Sequence, residues 1–158
     1  MTQLTAARQG QITSEMAEVA ERESCTAESV RERVAVGRVV IPANRNHQGL
    51  RPIGIGKGLS TKVNANIGTS GDFPSLEEEM AKLEVAVRYG ADTVMDLSTG
   101  GDIDGIRRQM ISRCPVPLGN VPVYQMAREG LGQMSTRTFV NLDPGQMLSV
   151  VERHARDG

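Results

Sequence analysis

Tryptophan is absent from these 158 residues, and Phe73, Tyr89, Tyr124 and Phe139 are the only aromatic rings. Proteins that hold single-stranded nucleic acid stack its bases on such rings along a basic groove. With 18 basic and 19 acidic residues and a formal net charge of -1, the chain signals no such groove and has no strong field to steer a polyanion. No apolar run approaches the roughly 20 residues of a membrane span, and the N-terminus lacks the apolar stretch of a secretory signal. Cysteine occurs only at positions 25 and 114, with no CxxC, so neither a disulfide framework nor a zinc site is signalled. The two histidines, His47 and His154, fit no zinc spacing. They read as solvated loop and helix residues. The expectation is a soluble, cytoplasmic protein about one domain in size, with neither nucleic acid nor membrane as partner.

What is present is a change of pattern near residue 60. Residues 2 to 36 read as short helices, with Thr13 and Thr26 placed to cap two of them and Gly37 to stop the last. Val39-Val40-Ile41 reads as a short strand, and the Asn-, Gly- and Pro-rich stretch from Pro42 to Leu59 as an irregular connection. Gly54, Gly56 and Gly58 do not make a P-loop, because GxxxxGK[ST] is absent. Two regions are expected: 1–59, helical with an irregular connection, and 60–158, built of repeating βα units.

The units recur at a fixed step. Lys62–Ser70, Asp92–Asp102 and Pro117–Gln125 each bring polar groups to the end of an apolar run, and Asn66, Met95 and Tyr124 lie 29 residues apart in succession. A strand and its return helix in a (β/α)8 barrel take about 30 residues. Strands are predicted at about 62–67, 92–97 and 118–123. Ser75 and Glu78 make a capping box ahead of the helical face Leu76, Met80, Leu83 and Val87. Ile103, Ile106 and Met110 mark a second helix face, and Asp143-Pro144 starts another helix, with Met147, Val150 and Val151 on its apolar side. The fold class is α/β: the first three βα units of a (β/α)8 barrel after a small, mainly helical region. Three strands leave such a barrel incomplete, so the chain reads as the N-terminal part of a larger enzyme. A short three-stranded α/β protein is the alternative.

The strings Val63-Asn64-Ala65-Asn66-Ile67-Gly68-Thr69-Ser70 and Met95-Asp96-Leu97-Ser98-Thr99-Gly100-Gly101-Asp102, followed by Gly119–Gln125, resemble the phosphomethylpyrimidine synthase family of thiamine biosynthesis. The resemblance extends to Arg38–Asn44 and Gly54–Leu59 and is weakest between Met126 and Asn141. Ser60 departs from it, standing where the family has a basic residue.

The resemblance implies a radical lyase that rearranges 5-aminoimidazole ribonucleotide into 4-amino-5-hydroxymethyl-2-methylpyrimidine phosphate. It implies S-adenosylmethionine cleaved by a [4Fe-4S] cluster to a 5′-deoxyadenosyl radical, a zinc ion, and a homodimer at full length. It places Asn66, Met95 and Tyr124 against the substrate. The family's cluster-binding CxxCxxxxC and metal-binding histidine pair are absent here, so no metal ligand is assigned, no catalytic residue is identified, and the 158 residues alone are expected to be inactive. The relative 5-hydroxybenzimidazole synthase, which shares substrate and radical start, is the alternative enzyme. A non-catalytic, ribonucleotide-binding piece is the alternative of another class.

Each residue has two readings. Asn66 can donate and accept, which suits either an amino-imidazole edge or the capping of a turn. Asn64, on the same strand face, reads as a buried structural amide. Met95 offers a soft thioether to a flat ring, or ordinary core packing. Asp96 points to the other face and reads as structural. Tyr124 is expected at the end of the third strand, its phenol aimed at a ribose or phosphate oxygen or simply at the rim. Ser98–Asp102 has the backbone of an anion nest, but Asp102 would oppose an anion and reads as a helix cap. Arg107-Arg108 reads as a solvated helix face.

Overall fold

The computed structural model describes residues 1–131 and 143–158; residues 132–142, nearly all of them in the stretch of weakest resemblance, lie outside the described residues. The chain opens with α1 (Gln3–Arg8), α2 (Ser14–Arg22) and α3 (Ala27–Ala35). A threonine hydroxyl caps each: Thr2 accepts from the Thr5 amide at 3.1 Å, Thr13 from Met16 and Thr26 from Ser29, both at 3.2 Å. Such a cap contributes about 1 kcal/mol, which matters for helices of six to nine residues that are marginal alone. Met16, Val19, Ala20, Val30 and Val34 bury their side chains together with Val39 and Ile41. The stretch read as an irregular connection contains a strand: β2 (Ile55–Gly56) pairs antiparallel with β1 (Val39–Val40). Two residues carry no period, so only the pairing identifies it.

The second half follows the βα pattern. β3 (Asn64–Ile67), α4 (Leu76–Arg88), β4 (Thr93–Asp96), α5 (Ile103–Ile111) and β5 (Leu118–Asn120) lead to α6 (Pro122–Leu131) and α7 (Pro144–Asp157). β3, β4 and β5 form a parallel sheet in that order. One face packs on the helices through a second core of Leu83, Val94, Ile106, Met110, Cys114 and Val116. Ser75 caps α4 by accepting from Glu78, and Asp102 caps α5 by accepting from Gly105 at 2.9 Å. The described residues form an open three-stranded sheet and not a closed barrel.

Three expectations need correction. The third strand ends at Asn120, not 123, because Pro122 opens α6; a proline at the first helical position has no amide to lose and its φ is already helical. Arg107 is not solvated: its side chain is fully buried, while that of Arg108 is 57 % exposed. Neither histidine is solvated. His47 is buried with Nε2 2.7 Å from the Cys114 carbonyl oxygen, and the partly buried His154 sets Nε2 2.7 Å from Gln125 Oε1.

Polar contacts join the two halves. Lys62 Nζ donates to Glu23 at 2.7 Å, both side chains largely buried, and Ser60 donates its amide and hydroxyl to the same carboxylate. Ser60 is thus tied to the Lys62 pair that anchors the start of β3.

Candidate functional site: the open face of the parallel sheet

Side chains paired across parallel strands share a face. Register places Asn64 beside Thr93 and Asn66 beside Met95, and Met95 beside Gly119. These residues occupy the face opposite the Val94 core. The 29-residue step therefore corresponds to strand register between β3 and β4. Between β4 and β5 the register step is shorter, Met95 pairing with Gly119.

Asn64 is exposed, which overturns its reading as a buried amide. It links neighbours instead: the Thr93 hydroxyl donates to Asn64 Oδ1 at 2.8 Å, and Asn64 Nδ2 donates to Asn66 Oδ1 at 2.7 Å. This chain engages the oxygen of the exposed Asn66 and leaves its Nδ2 to donate outward. The site thus offers a ligand an amide donor beside a thioether.

Met95 owes its place to Gly119. A Cβ built at 119 would stand 3.1 Å from both Sδ and Cε of Met95, so the thioether lies across β5 where a side chain would otherwise be. A glycine within a strand is a sequence signal of such close approach.

Tyr124 is not a strand residue. It lies in the first turn of α6, beyond the C-terminal end of β5, with 46 % of its surface exposed. Asn66 and Met95 are brought side by side by the sheet, and Tyr124 stands on the helix that follows β5.

The loops above β3 and β4 are locked to one another. The Thr69 amide donates to Ser98 Oγ at 3.1 Å, the Thr69 hydroxyl to the Gly100 carbonyl at 2.7 Å, and the Thr99 amide to the Thr69 carbonyl at 2.9 Å. Asp96, on the helix-facing side as expected, accepts from the Ser98 amide at 2.9 Å and from its hydroxyl. Burial pushes the Asp96 carboxyl above its usual value, and the Ser98 hydrogen bonds only partly offset this. The Gly68 amide donates to buried Glu79 of α4 at 2.8 Å. Side chains at the rear of the sheet thus hold the turns that end the Asn66 and Met95 strands.

The residues present do not fit an iron–sulfur cluster. Cys25 packs against the N-terminal core and Cys114 lies in the second, and a cluster needs three or four thiolates together. Among the described residues no group of three or more His, Cys, Asp or Glu is arranged to hold a metal ion. No described helix is long and apolar enough to cross a membrane.

The Radical SAM ThiC family matches residues 2–158. A phosphomethylpyrimidine synthase of Desulfitobacterium hafniense is 51 % identical over 158 residues, all of this chain and 36 % of the relative. Phosphomethylpyrimidine synthases of Thermus thermophilus and Moorella thermoacetica are likewise 51 % identical, over 159 and 158 residues, with the same coverage. The chain therefore spans about a third of the length of these relatives. With a match over almost every residue, the chain belongs to the Radical SAM ThiC family.

Proposed function

We propose that these residues form the N-terminal part of a phosphomethylpyrimidine synthase, a cytoplasmic lyase of thiamine biosynthesis that acts on 5-aminoimidazole ribonucleotide. The observation that carries this is the pairing of Asn66 and Met95, side by side on the open face of the sheet, within a chain half identical to proteins of that name. In this reading the open sheet is the first three strands of a (β/α)8 barrel. Its open face becomes the barrel lumen, and reactive groups in such barrels gather at the strand C-termini. The two separate apolar cores support a division into a helical region, 1–59, and a barrel region, 60–158.

The roles follow from the side chains. Asn66 donates Nδ2 to an acceptor of the aminoimidazole or its ribose, Met95 lies against the flat ring, and Tyr124 donates its phenol to a ribose or phosphate oxygen. Binding of this kind orients the substrate before any bond changes, and orientation is a large share of catalysis. S-adenosylmethionine and the [4Fe-4S] cluster supply radical chemistry to the full-length protein. We assign the cluster and zinc ligands to parts of the protein outside these 158 residues. A full-length homodimer is part of the same proposal.

Anaerobic turnover of the reconstituted full-length protein with 5-aminoimidazole ribonucleotide and S-adenosylmethionine, with products identified by mass, tests this. The pyrimidine phosphate is expected. Formation of 5-hydroxybenzimidazole would reassign the enzyme to the related synthase, and no conversion of the ribonucleotide would refute the proposal.

A further inference from the structure

Among the described residues, the largest fully buried side chain belongs to none of those that face the open sheet. Arg107 of α5 is fully buried and makes four hydrogen bonds. Its Nε and one terminal nitrogen donate to Asp157 of α7 at 2.9 and 2.6 Å, the same nitrogen to Asp104, and the other to Gln125 Oε1 at 2.9 Å. Gln125 is itself saturated. Its oxygen accepts from Arg107 and from His154, and its Nε2 donates to Asp104 at 2.8 Å and Glu129 at 2.9 Å. Two donors and two acceptor sites are all that a carboxamide has.

Gln125 is the residue directly after Tyr124. One side of α6 is thus pinned to α5 and α7 by a single side chain with four bonds, while the adjacent residue stands half exposed at the strand-end side. Adjacent helical residues point about 100° apart, so pinning Gln125 fixes the direction in which the side chain of residue 124 leaves the helix. A rotation of α6 by about 10° would carry a group some 6 Å from its axis through about 1 Å. A misplacement of that size can cost a large factor in rate or affinity.

We infer that Gln125, held by Arg107 and His154, is a positioning residue that fixes the orientation of Tyr124 toward the bound ribonucleotide. The inference rests on the reading of Tyr124 as a substrate contact. Gln125 does not itself touch substrate; it acts through α6.

The test is a double-mutant cycle in the full-length protein, read as the dissociation constant of 5-aminoimidazole ribonucleotide by calorimetry. The variants are Tyr124→Ala, Gln125→Met and both together, with thermal melts for each. Gln125→Met keeps the volume and removes the four bonds. Tyr124→Ala is expected to weaken binding about tenfold, and Gln125→Met roughly three- to tenfold. In the Tyr124→Ala background Gln125→Met should weaken it no further. A merely structural role would show the same loss in both backgrounds and would overturn the inference, as would unchanged binding in Gln125→Met. Unchanged binding in Tyr124→Ala, with Asn66→Ala still weakened, would remove Tyr124 from the site and overturn it too. Unchanged binding in both Tyr124→Ala and Asn66→Ala would instead refute the functional reading itself. Should Gln125→Met fail to fold, His154→Leu, which removes one of the four bonds, carries the same cycle.

Discussion

Asn64 Nδ2 donates to Asn66 Oδ1 at 2.7 Å, so the exposed amide nearest Met95 is oriented by its own strand neighbour. The direction of this bond decides what Asn66 can offer. With its oxygen engaged, Asn66 meets a ligand as a donor, and the ligand must bring an acceptor.

Replacement of Asn66 by alanine in the full-length protein should weaken ribonucleotide binding by about 0.5 to 1.5 kcal/mol, the worth of one ordinary hydrogen bond. Asn66→Asp should weaken it further, because an acceptor then stands where a donor is needed. Asn64→Ala should give a smaller loss, through a less fixed Asn66, and leave the melting temperature within a degree or two because its side chain is exposed. Calorimetric titrations beside melts measure all three. A larger binding loss for Asn64→Ala than for Asn66→Ala would reverse the assignment.

Gly119→Ala sets a methyl group 3.1 Å from the sulfur and terminal methyl of Met95. A flexible thioether can yield, so stability should fall by less than about 1 kcal/mol. The ring-binding surface should nevertheless be displaced, and affinity should fall several-fold. Unchanged affinity would mean that Met95 does not contact the ligand.

Gly100→Ala should behave differently. The new Cβ would lie 2.0 Å from the Ser70 carbonyl oxygen, and backbone cannot swing aside as a methionine can. The loops above β3 and β4 must separate, breaking the Thr69–Gly100 bond. A melting-temperature drop of several degrees is expected; a drop no larger than that of Gly119→Ala would contradict the close approach.

The helical network should weaken in acid, in two stages. Burial pushes the His154 imidazole below its ordinary value, and the charges of Arg107 and Arg153 add to this against the opposing Asp104 and Asp157. A base with a lowered folded pKa is protonated first in the unfolded chain. Stability is therefore intact above about pH 6.5 and falls as the pH drops below it. Burial alone would raise the Asp104 carboxyl, but hydrogen bonds from Gln125 and Arg107 outweigh it and hold it low. Its contribution is present above about pH 4 and lost below. In melts of the full-length protein from pH 8 to 5, His154→Leu should show a shallower decline than the parent. Parallel profiles would contradict the first stage.

Local chemistry was legible in the sequence wherever a single side chain decides it. Thr13, Thr26, Ser75 and Asp102 cap the helices expected of them, and the apolar steps found α4 and α5. The burial of Arg107 was not legible, because its partners Gln125 and Asp157 lie on other helices and nothing local marks an arginine as internal. The end of β5 was readable in principle: Pro122 suits the first turn of a helix better than the end of a strand, but the equal spacing to Tyr124 favoured a longer strand. Register resolved the open face, since the Asn66–Met95 pairing and the Met95–Gly119 contact depend on how strands align and not on either strand alone.

The decisive measurement is a crystal structure of the full-length protein with 5-aminoimidazole ribonucleotide bound. The ligand is expected on the face opposite Val94, with an acceptor atom within hydrogen-bond reach of Asn66 Nδ2 and its ring against Met95. Ligand bound elsewhere, with Asn66 and Met95 untouched, would contradict it.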